Sequence, residues 1–572
     1  MAKITKIGIW TLFSLLSINI LYGQDSNKSL TYYEAIKRYQ ILDSLFEEAK
    51  MITYGRTDCG EPLHLFVITQ TKAFDPARLH ELKKCILFIN NGIHPGEPDG
   101  IDASVQLAED LLYKPLYKRL LGNIVVCIVP VFNIDGALQR GCCSRINQNG
   151  PEEYVFRANS KNLDLNRDFM KVDSRSTASL INIIQSWNPD VFVDTHVSDG
   201  ANYPYSISLI STQHNKMDNA AGEFISKKLT PKLFEKMKDK NDEMIPYVEP
   251  VAPYEIPDSG IQAFLETPRF LSGYVSLNNT FSFIIESHML KPFSRRVKST
   301  HNLLVSFVEL CDEFSEKIIN VREVAKNEML QNKYFRFNWK CNFTKKELLN
   351  FNGYEAAYKP SEVTGNMRLY YDQNKTYKKD IPFFNQYYAA DSIAIPKYFY
   401  IPQAWDAVIK LLDINHVSFN RINMDSLTHV QATYITGYKT TDSPYEGHYL
   451  HSDVKTRTQN RIINVSKGDY LIPLPQKNMK YALEALTPAS NDSYFCWGFF
   501  DSFLQQKEWF SSYVFEDIAA DILKKDSLLK IDFEKWKLEN PDKSAYEKLN
   551  FIYQRSPNFE RTFMRYPVFS IY

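Results

Sequence analysis

Between about Lys83 and Glu309, apolar runs of strand length alternate with segments whose apolar residues recur at helical spacing, and this alternation constrains the chain more than any other feature. The candidate strands are Cys85 to Asn90, Ile124 to Phe132, Val191 to Thr195 and Phe281 to Glu286, and the candidate helices are Pro98 to Leu112, Ser176 to Trp187, Asn219 to Lys236 and Arg296 to Lys326. Such a pattern predicts an α/β unit whose mixed, mainly parallel sheet is flanked by helices. In such sheets ligands gather at the carboxyl ends of the strands. The chain has 572 residues, enough for about two to four packed units.

Beyond about Asn327 the texture changes to aromatic-rich runs with many Asn, Lys and Tyr residues and turn clusters. The sequence therefore divides into a unit spanning residues 24–327 and a smaller α+β, partly β-rich region spanning 328–572. Within the latter, Lys397 to Ile401 followed by Ala404 to Leu412 reads as one βα unit. His429 to Pro473 reads as antiparallel strands, and helices are expected around Tyr481 to Leu486 and Glu516 to Leu523.

The N-terminus carries Lys3 and Lys6 before an apolar run from Ile7 to Leu21, followed by Tyr22, Gly23 and Gln24. Residues 1–23 are expected to be a cleaved export signal, since the run is shorter than the roughly 20 apolar residues a spanning helix needs. The destination would be the periplasm or the outside of the cell, with no integral membrane segment left after cleavage. Basic and acidic side chains balance at 67 each, which argues against nucleic acid or an anionic membrane as a main partner. Cys85 and Cys127 lie in apolar runs and are expected to be buried thiols, whereas Cys142 and Cys143 sit in a polar loop.

The chemistry concentrates in Asn90 to Gly100, NNGIHPGEPDG, which follows one candidate strand and opens a candidate helix with Pro98 in a starting position. His94 and Glu97 share one tight turn, and the small or rigid Pro95 and Gly96 between them let an imidazole and a carboxylate converge on one cation. His-x-x-Glu alone is weak evidence, but VFVDTHVSDG ends a second candidate strand with His196, where an open sheet would build its site. Two imidazoles and one carboxylate leave a fourth position for water, the mark of a catalytic rather than a structural zinc site. The expected cofactor is one zinc ion per chain.

Over about residues 60 to 310 this motif set resembles the zinc carboxypeptidase family, the carboxypeptidase A-like metallopeptidases. The family's order is His-x-x-Glu, an Arg, an Asn-Arg pair, a third His and a late Glu. This sequence supplies His94 and Glu97, Arg157, Asn166 and Arg167 within NLDLNRDF, His196, and Glu286 within FIIESHML. The resemblance implies metal ligands at His94, Glu97 and His196, and Glu286 as the base that takes the proton of the attacking water. It further implies that Arg157 stabilises the oxyanion and that Asn166 and Arg167 hold the substrate's terminal carboxylate. Asp164 matches the position that receives the ring N–H of the first ligand. Tyr274, in RFLSGYVSLNN, is the candidate for the mobile phenol that closes over the substrate.

His288, two residues beyond Glu286, is expected to line the site or to carry a second proton. His448 and His451 near Glu446 could hold a second metal but read better as an exposed loop. Tyr494, Phe495, Trp497, Phe499 and Phe500 could form a carbohydrate platform but suit helix core packing better. The leading function is an exported metallopeptidase trimming peptide C-termini. A zinc amidase or deacylase acting on cell-wall peptides or acylated amino acids is the alternative, and a non-catalytic binding protein on the same scaffold is a third reading.

Overall fold

The computed structural model describes residues 27–141, 144–251 and 256–572. The expected export signal and the Cys142–Cys143 pair lie outside these described residues. The chain divides into two compact units. The first runs to Ile395 and also takes in Ala407–Ser418 and Leu474–Ala485; the second comprises Pro396–Asp406, Phe419–Pro473 and Leu486–Tyr572.

The first unit is built on an eight-stranded sheet. Its strands are β1 (Ala49–Arg56), β2 (Pro62–Ile68), β3 (Cys85–Asn90), β4 (Ile124–Val129), β5 (Val191–Ser198), β6 (Ile207–Ser211), β7 (Ile245–Pro246) and β8 (Phe281–His288). Their order across the sheet is β1-β2-β4-β3-β5-β8-β6-β7. The four central strands, β4, β3, β5 and β8, run parallel, while β1, β2 and β6 pair antiparallel with their inner neighbours. All residues of β3, β4 and β5 are buried. That explains the near-continuous apolar sequence of β3, β4 and the first three residues of β5, because a parallel strand is covered on both faces. Each fully buried Ile, Leu, Val or Phe there contributes roughly 1.5–3 kcal/mol.

The expected strand at Ile124 to Phe132 stops at Val129. Pro130 has no N–H to donate to a ladder, and the Phe132 N–H turns back to donate to the Asn91 carbonyl at 2.8 Å. The covering helices are α1 (Tyr32–Leu45), α2 (Asp99–Tyr113), α3 (Arg175–Trp187) and α4 (Phe293–Gln331). The Ser174 hydroxyl caps the start of α3 by accepting from the Thr177 N–H, and Asn188 ends it in the left-handed region at φ 43°. Asn219 to Lys236 is helical as expected but contains a π-helical turn at Ile225–Leu229.

The boundary expected at residue 327 falls inside α4, and the next sixty-odd residues belong to the first unit rather than to a separate region. The physical reason is a shared core: Phe351 and Ile381, from the hairpin Glu347–Pro360 and Met367–Phe384, are buried with Tyr203, Tyr205 and Ile245. The second unit contains a six-stranded sheet and three helices, Ser512–Lys525, Ser527–Glu539 and Ala545–Tyr553. Tyr494, Phe495, Trp497 and Phe500 are buried in its core, as expected of packing residues, although in a run of turns rather than a helix. His451 is buried too, with Nδ1 on Thr440 Oγ1 and Nε2 on Asp501 Oδ1, both at 2.9 Å, so the exposed-loop expectation fails for this residue.

Candidate metal centre

The tight turn after β3 forms as its residue types dictate. The Glu97 N–H donates to the His94 carbonyl at 2.9 Å, closing the turn. A Cβ on Gly96 would sit 2.7 Å from the Val155 carbonyl oxygen, so only glycine allows the approach. A Cβ on Gly100 would meet Thr195 Oγ1 at 1.9 Å, so glycine also lets the start of α2 close onto β5.

His94 and Glu97 from this turn meet His196 from β5, and all three are buried. One donor atom from each lies within 4.8 Å of the others, and among the described residues no second such group occurs. His94 Nδ1 is 3.3 Å from Glu97 Oε1, and His196 Nδ1 is 3.2 Å from Glu97 Oε2. The far nitrogens are held from outside, His94 Nε2 by Asp164 Oδ1 at 3.0 Å and His196 Nε2 by Asp194 Oδ2 at 2.9 Å. His94 Nδ1 is buried without a hydrogen-bond partner, an arrangement that normally calls for an explanation. A divalent cation facing both Nδ1 atoms and Glu97 supplies it, and nitrogen with carboxylate oxygen is the donor set zinc accepts. The residues present therefore fit the metal.

The charges around this trio are arranged in pairs. Arg145 Nη2 donates to Glu97 Oε1 at 2.8 Å, and Arg157 Nη1 reaches the same oxygen at 3.4 Å. Arg157 Nε also donates to Asp164 Oδ2 at 3.0 Å. Burial works to raise both carboxyls, but His94, Arg145 and His196 hold Glu97 well below the usual carboxylate range, and His94, Arg157 and Arg167 do so for Asp164. Glu286, opposite His196 in the β8–β5 register, behaves in the other direction. Burial, reinforced by Glu97, Asp199 and Asp194 and opposed by His196, pushes it up to about 8.

These groups line one cleft of about 360 Å³, shared by His94, Glu97, Arg157, Arg167, His196 and Glu286. Asn166 lines it as well, its Oδ1 accepting from the Leu271 N–H at 3.0 Å, and the Arg167 guanidinium lies 4.3 Å over the Phe270 ring. Every metal, Arg and Glu position singled out in the sequence thus converges.

Tyr274 does not. Its ring is buried between Phe169 and Tyr481, and its hydroxyl accepts from Gln185 Nε2 at 2.9 Å and donates to Asn415 Oδ1 at 2.8 Å. The phenol is saturated in the core and does not line the cleft, which corrects the expectation. His288 also stays off the cleft wall. Its ring packs against Tyr203 at 4.2 Å, tilted by 55°, with the Tyr203 and Leu290 N–H groups directed at its two ring nitrogens.

Two cleft residues, and Asp194 as a buried partner of His196, escaped the sequence reading. Arg145 comes from an irregular loop and carries no periodic signal. Tyr247, half-buried on the wall, has its phenol pushed up by burial and by the charge of Glu286. Asp194 was legible in principle, because the two-residue period of a strand puts it on the same face as His196.

Residues 39–245 match the family model described as zinc carboxypeptidase. That stretch is similar to a zinc carboxypeptidase domain. The matched stretch holds every cleft residue named above up to His196, while Glu286 lies beyond it. Among curated relatives, carboxypeptidase 2 of Trichophyton tonsurans is 20% identical over 490 residues, 83% of this chain and 81% of that one. Carboxypeptidase 2 of Trichophyton equinum is 20% identical, over 76% of this chain and 77% of that one. A solved metallo-carboxypeptidase from Burkholderia cenocepacia shares 16% identity at a TM-score of 0.38, covering 50% of this chain and 70% of that one. The match over residues 39–245 is to a metallocarboxypeptidase hydrolase domain.

Proposed function

We propose that this protein is an exported metallopeptidase that removes residues from peptide C-termini, with Glu286 as its general base. The observation that carries this reading is the convergence of His94 Nδ1, Glu97 and His196 Nδ1 with Glu286 and three arginines in one cleft. His94, Glu97 and His196 would hold one zinc ion. Bound there, zinc supplies Lewis-acid polarisation of a water and of the scissile carbonyl.

The remaining work falls to side chains of this chain. Glu286 takes the proton of the attacking water and passes it to the leaving amine, a contribution of about 10²–10⁴ for a positioned base. Arg157, anchored on Asp164 through Nε and Nη2, turns its partly exposed guanidinium toward the charge that develops on the carbonyl oxygen. Arg167 presents a planar fork to the substrate's terminal carboxylate, its orientation supported by the Phe270 ring. With Asn166 Oδ1 engaged by Leu271, the amide nitrogen is what Asn166 offers the same carboxylate. Tyr247 is the phenol that the cleft lining offers to a bound peptide.

Digestion of a peptide library, read by mass spectrometry with and without chelator, tests the proposal. Loss of single C-terminal residues, abolished by chelator and lowered about 10²–10⁴-fold in kcat by Glu286→Gln, is expected. Cleavage inside peptides would refute it, and turnover confined to acylated amino acids or cell-wall peptides would identify the amidase alternative. Metal analysis should return one zinc per chain, and N-terminal sequencing of the cell-exported protein should start after Gly23.

A further inference from the structure

Asp194 is a fully buried carboxylate to which neither the family resemblance nor the proposed chemistry gives a task. On β5 it lies two residues before His196, and the strand period brings both side chains to one face. Its Oδ2 is 2.9 Å from His196 Nε2, and its Oδ1 accepts from Asn90 Nδ2 at 2.9 Å. Asn90 is the last residue of β3 and stands directly opposite Asp194 in the parallel β3–β5 ladder, so the carboxylate is fixed by two strands at once. The other imidazole of the centre is held in the same way, with Asp164 Oδ1 on His94 Nε2 at 3.0 Å. The two carboxylates hold opposite sides of the trio, and each touches the nitrogen remote from Glu97.

We propose that Asp194 is a positioning residue for the metal centre, accepting the Nε2 proton of His196 so that Nδ1 carries the lone pair toward the cation. An imidazole has one proton to place between two nitrogens, and an anionic acceptor at Nε2 decides the tautomer and raises the basicity of Nδ1. Asn90 is the brace that keeps Asp194 in that pose. The sequence consequence is a pair of carboxylate–imidazole units, Asp164–His94 and Asp194–His196, converging on Glu97. This inference rests on His196 being a ligand.

The test is zinc affinity of the full-length protein, measured by competition with a chromophoric chelator, together with melting of the metal-free protein by circular dichroism. Asp194→Asn, nearly isosteric, should weaken zinc about 10- to 100-fold, the range expected for loss of an outer carboxylate. Asp194→Glu should stay nearer the wild type than Asp194→Asn if the charge matters. Asn90→Ser should give a smaller loss in the same direction. Asp164→Asn serves as the reference for a lost partner of His94. Zinc affinity of Asp194→Asn within twofold of wild type, while Asp164→Asn is weakened, would overturn the proposal. So would an affinity loss matched by an equal loss of metal-free stability, since that marks a merely structural carboxylate. Wild-type protein that binds no zinc would instead defeat the proposed function itself.

Discussion

Glu286 and His288 stand two residues apart on one strand, and burial moves both toward their neutral forms. Glu286 is pushed up to about 8, and His288, desolvated and facing Lys291 and Arg296, is pushed down to about 3. For His288 the unfolded chain takes up a proton near the ordinary imidazole pKa of about 6.5, whereas the folded chain does not until far lower pH. Its contribution to stability is therefore complete above about pH 6.5 and is lost progressively as the pH falls toward 3. Between pH 7 and pH 5 the wild type should lose ~2 kcal/mol more than a His288→Asn variant in urea unfolding. A parallel fall in both proteins would show that His288 is not the group responsible. The two tyrosines separate just as cleanly. Tyr274→Phe, which strips the core hydroxyl from Gln185 and Asn415, should cost ~1–3 kcal/mol of stability and leave turnover unchanged. Tyr247→Phe should leave stability within ~0.5 kcal/mol and lower kcat/KM by roughly tenfold, the value of one hydrogen bond made in the cleft.

At the scale of elements, α2, β8 and α4 are joined beneath the cleft by one buried ion pair. Arg296, at the start of α4, donates through Nε to Asp99 Oδ2 at 2.9 Å, and its other nitrogens reach the carbonyls of Asn149, Gly150 and Lys291 at 2.8 Å. Ser287 of β8 donates to the same Asp99 oxygen at 2.5 Å. The helix that begins two residues after Glu97 is thus tied to the strand that carries Glu286. Arg296→Met should cost about 3–5 kcal/mol, because it leaves the buried Asp99 charge without its cation, and Asp99→Asn in the same chain should recover part of that loss. Equal stability of the single and double variants would show that the pair is not coupled. The sequence announced α2, β8 and α4 because doubly covered strands and amphipathic helices write their burial into short-range periods. It was silent about Arg296 and Asp99, 197 residues apart, because a tertiary contact leaves no period. The converging donors His94, Glu97 and His196 were legible for the same local reason, two in one turn and one on a strand. Tyr274 failed because its hydroxyl partner, Asn415, is 141 residues away. The hairpin Glu347–Pro360 and Met367–Phe384 read as part of a separate region because much of it is exposed, and only Phe351 and Ile381 join the buried cluster.

Over the whole molecule, the chain leaves the first unit after Ile395 and returns to it twice, at Ala407–Ser418 and Leu474–Ala485. Those returns are bonded into its core. Asn415 Nδ2 donates to Tyr481 Oη at 2.8 Å, Tyr481 Oη reaches the Met170 carbonyl at 3.3 Å, and Asn478 Nδ2 reaches Gln185 Oε1 at 3.2 Å. Chains stopped after Asn327 or after Ile395 should accordingly melt well below the full-length protein or fail to stay in solution, although both keep His94, Glu97, His196 and Glu286. A chain ending at Ile395 with full-length thermal stability and zinc content would refute this. The order of synthesis follows from the same path. The cleft walls leave the ribosome early, yet the last side chains that lock Gln185, Tyr274 and Met170 arrive only with Asn478 and Tyr481, so an enzyme of this design stays unfinished until most of it has been made.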